Sequence, residues 1–245
     1  YKRQVPNISE GRNLAVIESI VNAVRQTNGC TVLGVEPDHD YNRTVITFAG
    51  EPDCVARGAI ELIKASVTHL DMRLHHGEHP RLGVVDVCPF VPLKGITMEA
   101  CAELAREVVN ALSHDLDVPL FLYGAAATSP ERVMLSDLRR GEYEGLEARL
   151  SEGPCGHNEL TRMPDCGAIE WNETVAKSGG ITVGARPILV AYNVNVDEKE
   201  AVVAKKIGSI VRSSGRLLKS NSGRRIRTVG MLKKVKGMVA VSYTH

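Results

Sequence analysis

The chain has 245 residues, of which 43% are hydrophobic and 24% charged. That is the make-up of a soluble globular protein with one large core or two small ones, and it excludes disorder. No apolar run approaches the ~20 residues of a membrane-spanning helix, and the first residues lack a signal-peptide apolar stretch. The net charge of +1 conceals an asymmetry: residues 201–245 hold 11 Lys and Arg and no Asp or Glu, leaving 19 basic and 29 acidic groups in the first 200.

In chain order, a short strand is expected over 3–6. Apolar residues at Leu14, Ile17, Val21 and Val24 predict a helix over 13–25, with Gly29 as a stop. Strands follow at 31–35 and 43–49, and a helix over 52–69 has Pro52 in its first turn. After a histidine-rich loop, 83–90 is a continuous apolar strand. The order βαββαβ predicts a ferredoxin-like start, with helices on one face of the sheet. A helix over 97–113, a strand over 119–123 and a helix over 129–139 extend it. Residues 153–180, rich in Gly, Pro and polar residues, are too long for an ordinary connection and read as a functional loop. A strand over 187–196, a helix over 198–211 and a weak strand over 238–243 open a second module that reads as incomplete. The expected fold class is therefore α/β (α+β) with a mixed sheet. The expected subdomains are 1–180 and 181–245, the latter carrying the basic tail.

The segment His75–Phe90, HHGEHPRLGVVDVCPF, holds the densest chemistry. His75, His76, Glu78 and His79 are interrupted by Gly77 and Pro80, which oppose a helix. The order HHGEH does not match the HExxH zinc motif, so no metal is expected. A titratable loop at the mouth of a buried strand, flanked by Arg81 and Asp86, favours a general base. Solvated loop histidines are the plain alternative.

Other segments are individually weak. Asn7, Ser9 and Glu10 in VPNISEGRN suit either a helix cap or a polar ligand. PDHDYNRT, residues 37–44, has cation-like spacing but reads better as an Asx turn, with Arg43 able to present its guanidinium to a carboxylate. GGITVGAR, residues 179–186, is neither GxGxxG nor a Walker loop, and fits a hinge or a flat ligand equally. Six scattered cysteines without CxxC read as free thiols in a reducing, cytoplasmic setting. The basic tail suits nucleic acid or anionic substrates. Without interleaved aromatics or a recognition motif, nucleic acid is disfavoured.

Together, VPNISEGRN, DYNRTVITFAG, GEHPRLGVVDVCPF, VPLFLYGAAA, LRRGEYEGL and VGARPILVAYNVNV, in this order, resemble the formiminotransferase domain of formiminotransferase-cyclodeaminase and of stand-alone glutamate formimidoyltransferases. The resemblance runs from about residue 4 to 196, and more loosely to 236. It implies transfer of a formimino group from N-formimino-L-glutamate to tetrahydrofolate as co-substrate, in histidine breakdown, by a homodimer of two-subdomain chains. It selects His79 of the GEHPR motif as the catalytic base, leaving His75 and His76 to support it or face solvent. The family's asparagine maps onto Asn7, and its acidic position onto Glu36, where better-known members carry Asp. Its folate loop falls at about 167–179, which includes Gly167, Ser178 and Gly179. A WGAT sequence has no counterpart, since this chain reads AKSGGIT and its single tryptophan is Trp171. Two alternatives stay open: a folate-binding relative without activity, and formyl transfer from N-formylglutamate.

Overall fold

The protein is described by a computed structural model, which covers residues 2–151 and 162–188. Beyond these it describes 190–193, 203, 206, 207, 210, 217–219, 225–227 and 238–241. Two compact units are present, Tyr1–Pro187 and Ile188–His245.

The first unit is built on a seven-stranded mixed sheet. Its strands are β1 (Lys2–Gln4), β2 (Asn7–Ile8), β3 (Cys30–Asp38), β4 (Arg43–Gly50), β5 (Val85–Pro92), β6 (Leu120–Gly124) and β7 (Ile181–Ala185). β3 pairs with β4, which pairs with β1 and β2, and these pair with β5, all antiparallel. This is the ferredoxin-like arrangement expected from the element order. β7 then lies between β5 and β6, parallel to both. Residues 181–185, read from the sequence as part of a hinge or ligand contact and assigned to the second subdomain, thus form a central strand of the first sheet. Its five residues are all buried, which suits a strand covered on both faces.

Three long helices cover one face: α1 (Leu14–Arg25), α2 (Pro52–His69) and α3 (Met98–Asp115). Asn13 caps α1 by accepting from the Val16 N–H, and Thr97 caps α3 by accepting from Ala100. The apolar stripes of the helices meet Ile8, Ile46, Phe48, Val85, Phe90, Leu120, Leu122 and Val183 in the main core. Each of those large side chains contributes about 1.5–3 kcal/mol by leaving water. Alternation along β6 turns Phe121 and Tyr123 to the opposite face. There they form a second, smaller core with α4 (Leu135–Leu138), α5 (Leu146–Ser151) and the helix Glu173–Ser178. The sheet is therefore covered on both faces near β6, where helices on one face were expected.

Two other expectations are corrected. The helix over 129–139 is broken into a 3-10 turn, Pro130–Arg132, and α4. The Val133 carbonyl accepts from the Gly124 N–H instead of continuing a helical ladder. The described part of the 153–180 segment is also not one loop. Leu120 bridges to Cys166 on the outer edge of β6, the helix Glu173–Ser178 follows, and Gly179 bridges to Gly83.

In the second unit, β8 (Val190–Asn193) pairs in parallel with β11 (Met238–Val241), and β9 (Leu217–Lys219) pairs with β10 (Arg225–Arg227). The described residues of the expected helix over 198–211 (203, 206, 207 and 210) are helical. Most of the basic tail lies outside the described residues, as does Cys155. The other five cysteines are free.

Candidate functional site

The histidine loop is held by the turn that joins β3 to β4. Asp38 Oδ1 accepts from the N–H groups of Asp40 and Tyr41, the Asx turn expected from PDHDYNRT. The turn ends on Asn42, at φ 47, a left-handed conformation that asparagine tolerates better than most residues. Asn42 is buried, and its amide accepts from the Gly11 N–H and donates to the His76 carbonyl. A Cβ on Gly77 would stand 2.5 Å from the Tyr41 carbonyl. Glycine is therefore what lets the loop lie directly on this turn.

The three histidines separate by environment. His76 is exposed. His75 is buried, its Nε2 is 2.8 Å from the Asn42 carbonyl, and its Nδ1 accepts from Arg81 Nε at 3.2 Å. Both ring nitrogens of His75 are therefore engaged within the chain. Among the described residues, no three His, Cys, Asp or Glu side chains gather as a metal-binding set. Arg81 passes the connection on, donating from Nη2 to Glu144 Oε1 at 2.6 Å and from Nη1 to Glu144 Oε2 at 3.0 Å.

His79 is different: its side chain is 16% exposed, and its Nδ1 is 3.9 Å from Asp86 Oδ2. The ring of Tyr41 meets it edge-on, with centroids 6.4 Å apart. Burial pushes the imidazole down to about 3, and the charges of Arg43, Arg139, His75 and Arg81 push the same way. His79 is therefore neutral at physiological pH. Its approach to Asp86 is not an ion pair, and 3.9 Å is too long for a hydrogen bond. Asp86, 1% exposed, accepts from the Leu82 N–H at 3.2 Å and from Arg139 Nη2 at 2.5 Å. Burial raises its carboxyl to about 6, against the opposing pull of Arg139 and of the Leu82 N–H.

Arg139, Glu144 and Asn42 carry much of this geometry and were not singled out as site residues in the sequence. The available signal was LRRGEYEGL, residues 138–146, one of the motifs behind the family resemblance. Its Arg139 reaches Asp86, its Glu144 reaches Arg81, and its Tyr143 hydroxyl donates to the Ala176 carbonyl.

Asn7 sits on β2 opposite Val45 on one side and Val87 on the other. Val45 in turn faces Glu36. Directly paired residues share a face, so Asn7 and Glu36 look out from the same side of the sheet, two strands or about 10 Å apart. Glu36 is exposed on the outermost strand, while Asn7 is central. Arg43 stacks its guanidinium 5.8 Å from the Tyr41 ring centroid. Among the described residues, Asn7 Oδ1, Arg43 Nε and Arg139 Nε are buried and have no hydrogen-bond partner in the chain. Buried polar atoms are normally satisfied, and the unsatisfied guanidinium nitrogens of Arg43 and Arg139, whose charges act on His79, suit a polar ligand. The cations around His79 suit an anionic one.

The glycine-rich segment packs on Leu82 and Gly83, which follow His79 in the chain. Ser178 is fully buried, and its hydroxyl donates to the Gly179 carbonyl. Gly179, at φ +63, packs on Leu82 and Gly83, just past the catalytic-loop candidate. Gly167, at φ +78, lies apart on the outer edge of β6, where a Cβ would meet the Val118 carbonyl at 2.0 Å. It lines a concavity with Asp117, Glu170 and Asn172. In the VPNISEGRN segment Glu10 Oε1 accepts from the N–H groups of Arg12 and Asn13, a turn that leads into the Asn13 cap of α1. No helix among the described residues is long and apolar enough to cross a membrane.

Residues 2–186 match the family described as formiminotransferase domain, N-terminal subdomain. The chain is 44% identical over 213 residues to the formimidoyltransferase-cyclodeaminase of Dictyostelium discoideum, covering 86% of this chain and 37% of that protein. It is 40% identical over 211 residues to the glutamate formimidoyltransferase of Streptococcus pyogenes serotype M1, covering 86% and 67%. A glutamate formimidoyltransferase of Thermoplasma acidophilum is 35% identical over 240 residues, covering 97% and 74%. The chain thus spans well under half the length of the bifunctional relative.

Proposed function

The chain belongs to the formiminotransferase family, and on that premise we propose that it transfers the formimino group of N-formimino-L-glutamate to tetrahydrofolate, with His79 as general base. The observation that carries this reading is the neutral, largely buried imidazole of His79 set among Arg43, Arg81 and Arg139. A neutral imidazole has a lone pair free to take a proton, and guanidinium groups suit the carboxylates of the donor.

The folate N5 forms a bond to the amidine carbon of the donor as its own proton passes to His79. The bond from that carbon to the glutamate nitrogen then breaks, and His79 returns the proton to the departing amine. The transfer is balanced without oxidant or metal. Positive charge around the imidazole weakens it as a base in the free site. Donor carboxylates seated against Arg43 and Arg139 would offset that charge and strengthen it when the proton must move. Asn7 Oδ1 supplies an acceptor for an N–H of either substrate. In this reading the protein works in a reducing, cytoplasmic setting, which its free cysteines support, and as a homodimer.

The test is direct. The purified chain is incubated with tetrahydrofolate and either N-formimino-L-glutamate or N-formyl-L-glutamate, and glutamate release is followed. Release from the formimino donor with stoichiometric formation of the folate adduct is expected. Release from the formyl donor alone would reassign the substrate. Folate binding without release from either would make the chain a binding protein.

A further inference from the structure

Resting on the transferase reading, we propose that Asp86 is the positioning residue for His79, and that Arg139 holds Asp86 for that task. The Tyr41 ring meets His79 edge-on, and the charged groups and second imidazole described around His79 are Arg43, Arg81, Arg139, His75 and Asp86. Of these, Asp86 alone can accept a hydrogen bond from an imidazole N–H, because the arginines only donate and both nitrogens of His75 are engaged. Asp86 Oδ2 already faces His79 Nδ1 at 3.9 Å. A closure of about 1 Å makes that contact a hydrogen bond. Catalytic hydrogen bonds commonly tighten in this way when substrate arrives. An Nδ1–H donated to Asp86 fixes the tautomer whose Nε2 is free to take a proton.

The surrounding structure is built to keep Asp86 in place. Its Oδ1 is tied to the Leu82 N–H and its Oδ2 to Arg139 Nη2, so the carboxylate cannot rotate away from the ring. Thr182 also donates its hydroxyl to the Asp86 carbonyl, from the neighbouring strand β7. The segment 139–144 grips the histidine loop twice, through Arg139 on Asp86 and through Glu144 on Arg81. A buried ion pair gains little stability over apolar residues of the same volume. Its placement beside His79 is what gives it a use.

The experiment uses the full chain and the variants Asp86→Asn, Arg139→Met and Arg139→Lys. Steady-state kinetics with both substrates is combined with ¹⁵N NMR of the His79 ring in the presence of tetrahydrofolate. In the unsubstituted protein the ring is expected as the Nδ1–H tautomer. Asp86→Asn is expected to lower kcat about 10²- to 10⁴-fold, with KM within a few-fold, and to mix the tautomers. Arg139→Lys should recover part of the kcat lost in Arg139→Met. An Nε2–H tautomer in the unsubstituted protein, or undiminished kcat in Asp86→Asn, overturns the proposal. If Asp86→Asn does not fold, the tautomer and the Lys-against-Met comparison decide. If the unsubstituted protein transfers nothing, the transferase reading fails by itself, and the tautomer still decides the role of Asp86.

Discussion

Arg139 Nη2 lies 2.5 Å from Asp86 Oδ2, although the two residues are 53 positions apart and Asp86 is 1% exposed. Removing one member of such a pair leaves the other charge buried and uncompensated. Arg139→Met is expected to destabilise the protein by about 3 kcal/mol, at the lower end of the usual range because the arginine itself retains some contact with water. Urea denaturation of the two proteins measures this. The double variant Arg139→Met with Asp86→Leu should regain part of the loss, since no unpaired carboxylate remains.

His79→Gln keeps a polar side chain of similar length but removes the proton acceptor. Transfer is expected to fall by about 10²- to 10⁴-fold. Tetrahydrofolate affinity should change by no more than a few-fold, because the remaining polar atoms are untouched. Turnover matching that of the parent would remove His79 from the mechanism.

The same substitution predicts a change in acid stability. His79 is held at about 3 in the folded protein, against 6.5 as its ordinary value. Between these values the unfolded chain binds the proton and the folded one does not, so His79 lowers stability as pH falls through that window. Asp86, raised from 3.8 to about 6, acts in the opposite sense over part of it. Comparing the parent with His79→Gln isolates the first effect. The variant should lose less stability between pH 6.5 and 4, as read by denaturant midpoints at each pH. Parallel curves would show that His79 titrates normally.

Gly83→Ala tests the seat of the loop. A Cβ there would stand 2.5 Å from the carbonyl oxygens of Ser178 and Gly180, and neither is a flexible side chain that can give way. A loss of about 1–3 kcal/mol is expected from overpacking. Transfer should fall as well, because the bridge from Gly83 to Gly179 fixes the residues that follow His79. A thermal melt and an activity assay on one preparation check both.

Much of the fold was legible because it is local. The period of Leu14, Ile17, Val21 and Val24 predicts α1, and Pro52 marks the first residue of α2 as found. The run ITVGA is apolar for the reason found, burial on both faces, yet nothing in it says which sheet it joins. Its place between β5 and β6 comes from a pairing with residues about 60 to 100 positions earlier. The helix expected over 129–139 failed for a similar reason. Its apolar spacing is helical, but the Gly124 N–H takes the Val133 carbonyl from across the sheet edge.

At the candidate site, the sequence by itself determined which residue types crowd together and, through the GEHPR motif, singled out His79 among three histidines. Gly77 and Pro80 already opposed a helical metal site. Only the tertiary structure decided the surroundings of each histidine. His75 is locked because the β3–β4 turn offers a carbonyl and Arg81 a donor, and His79 is neutral because burial and the surrounding cations disfavour its proton. Arg139 shows the limit most clearly. In sequence it is one arginine of a pair, and only folding shows that Arg139 meets a buried carboxylate while Arg140 pairs with the more exposed Asp137. Electrostatic roles depend on burial and on distances between remote residues, and neither is a property of local sequence.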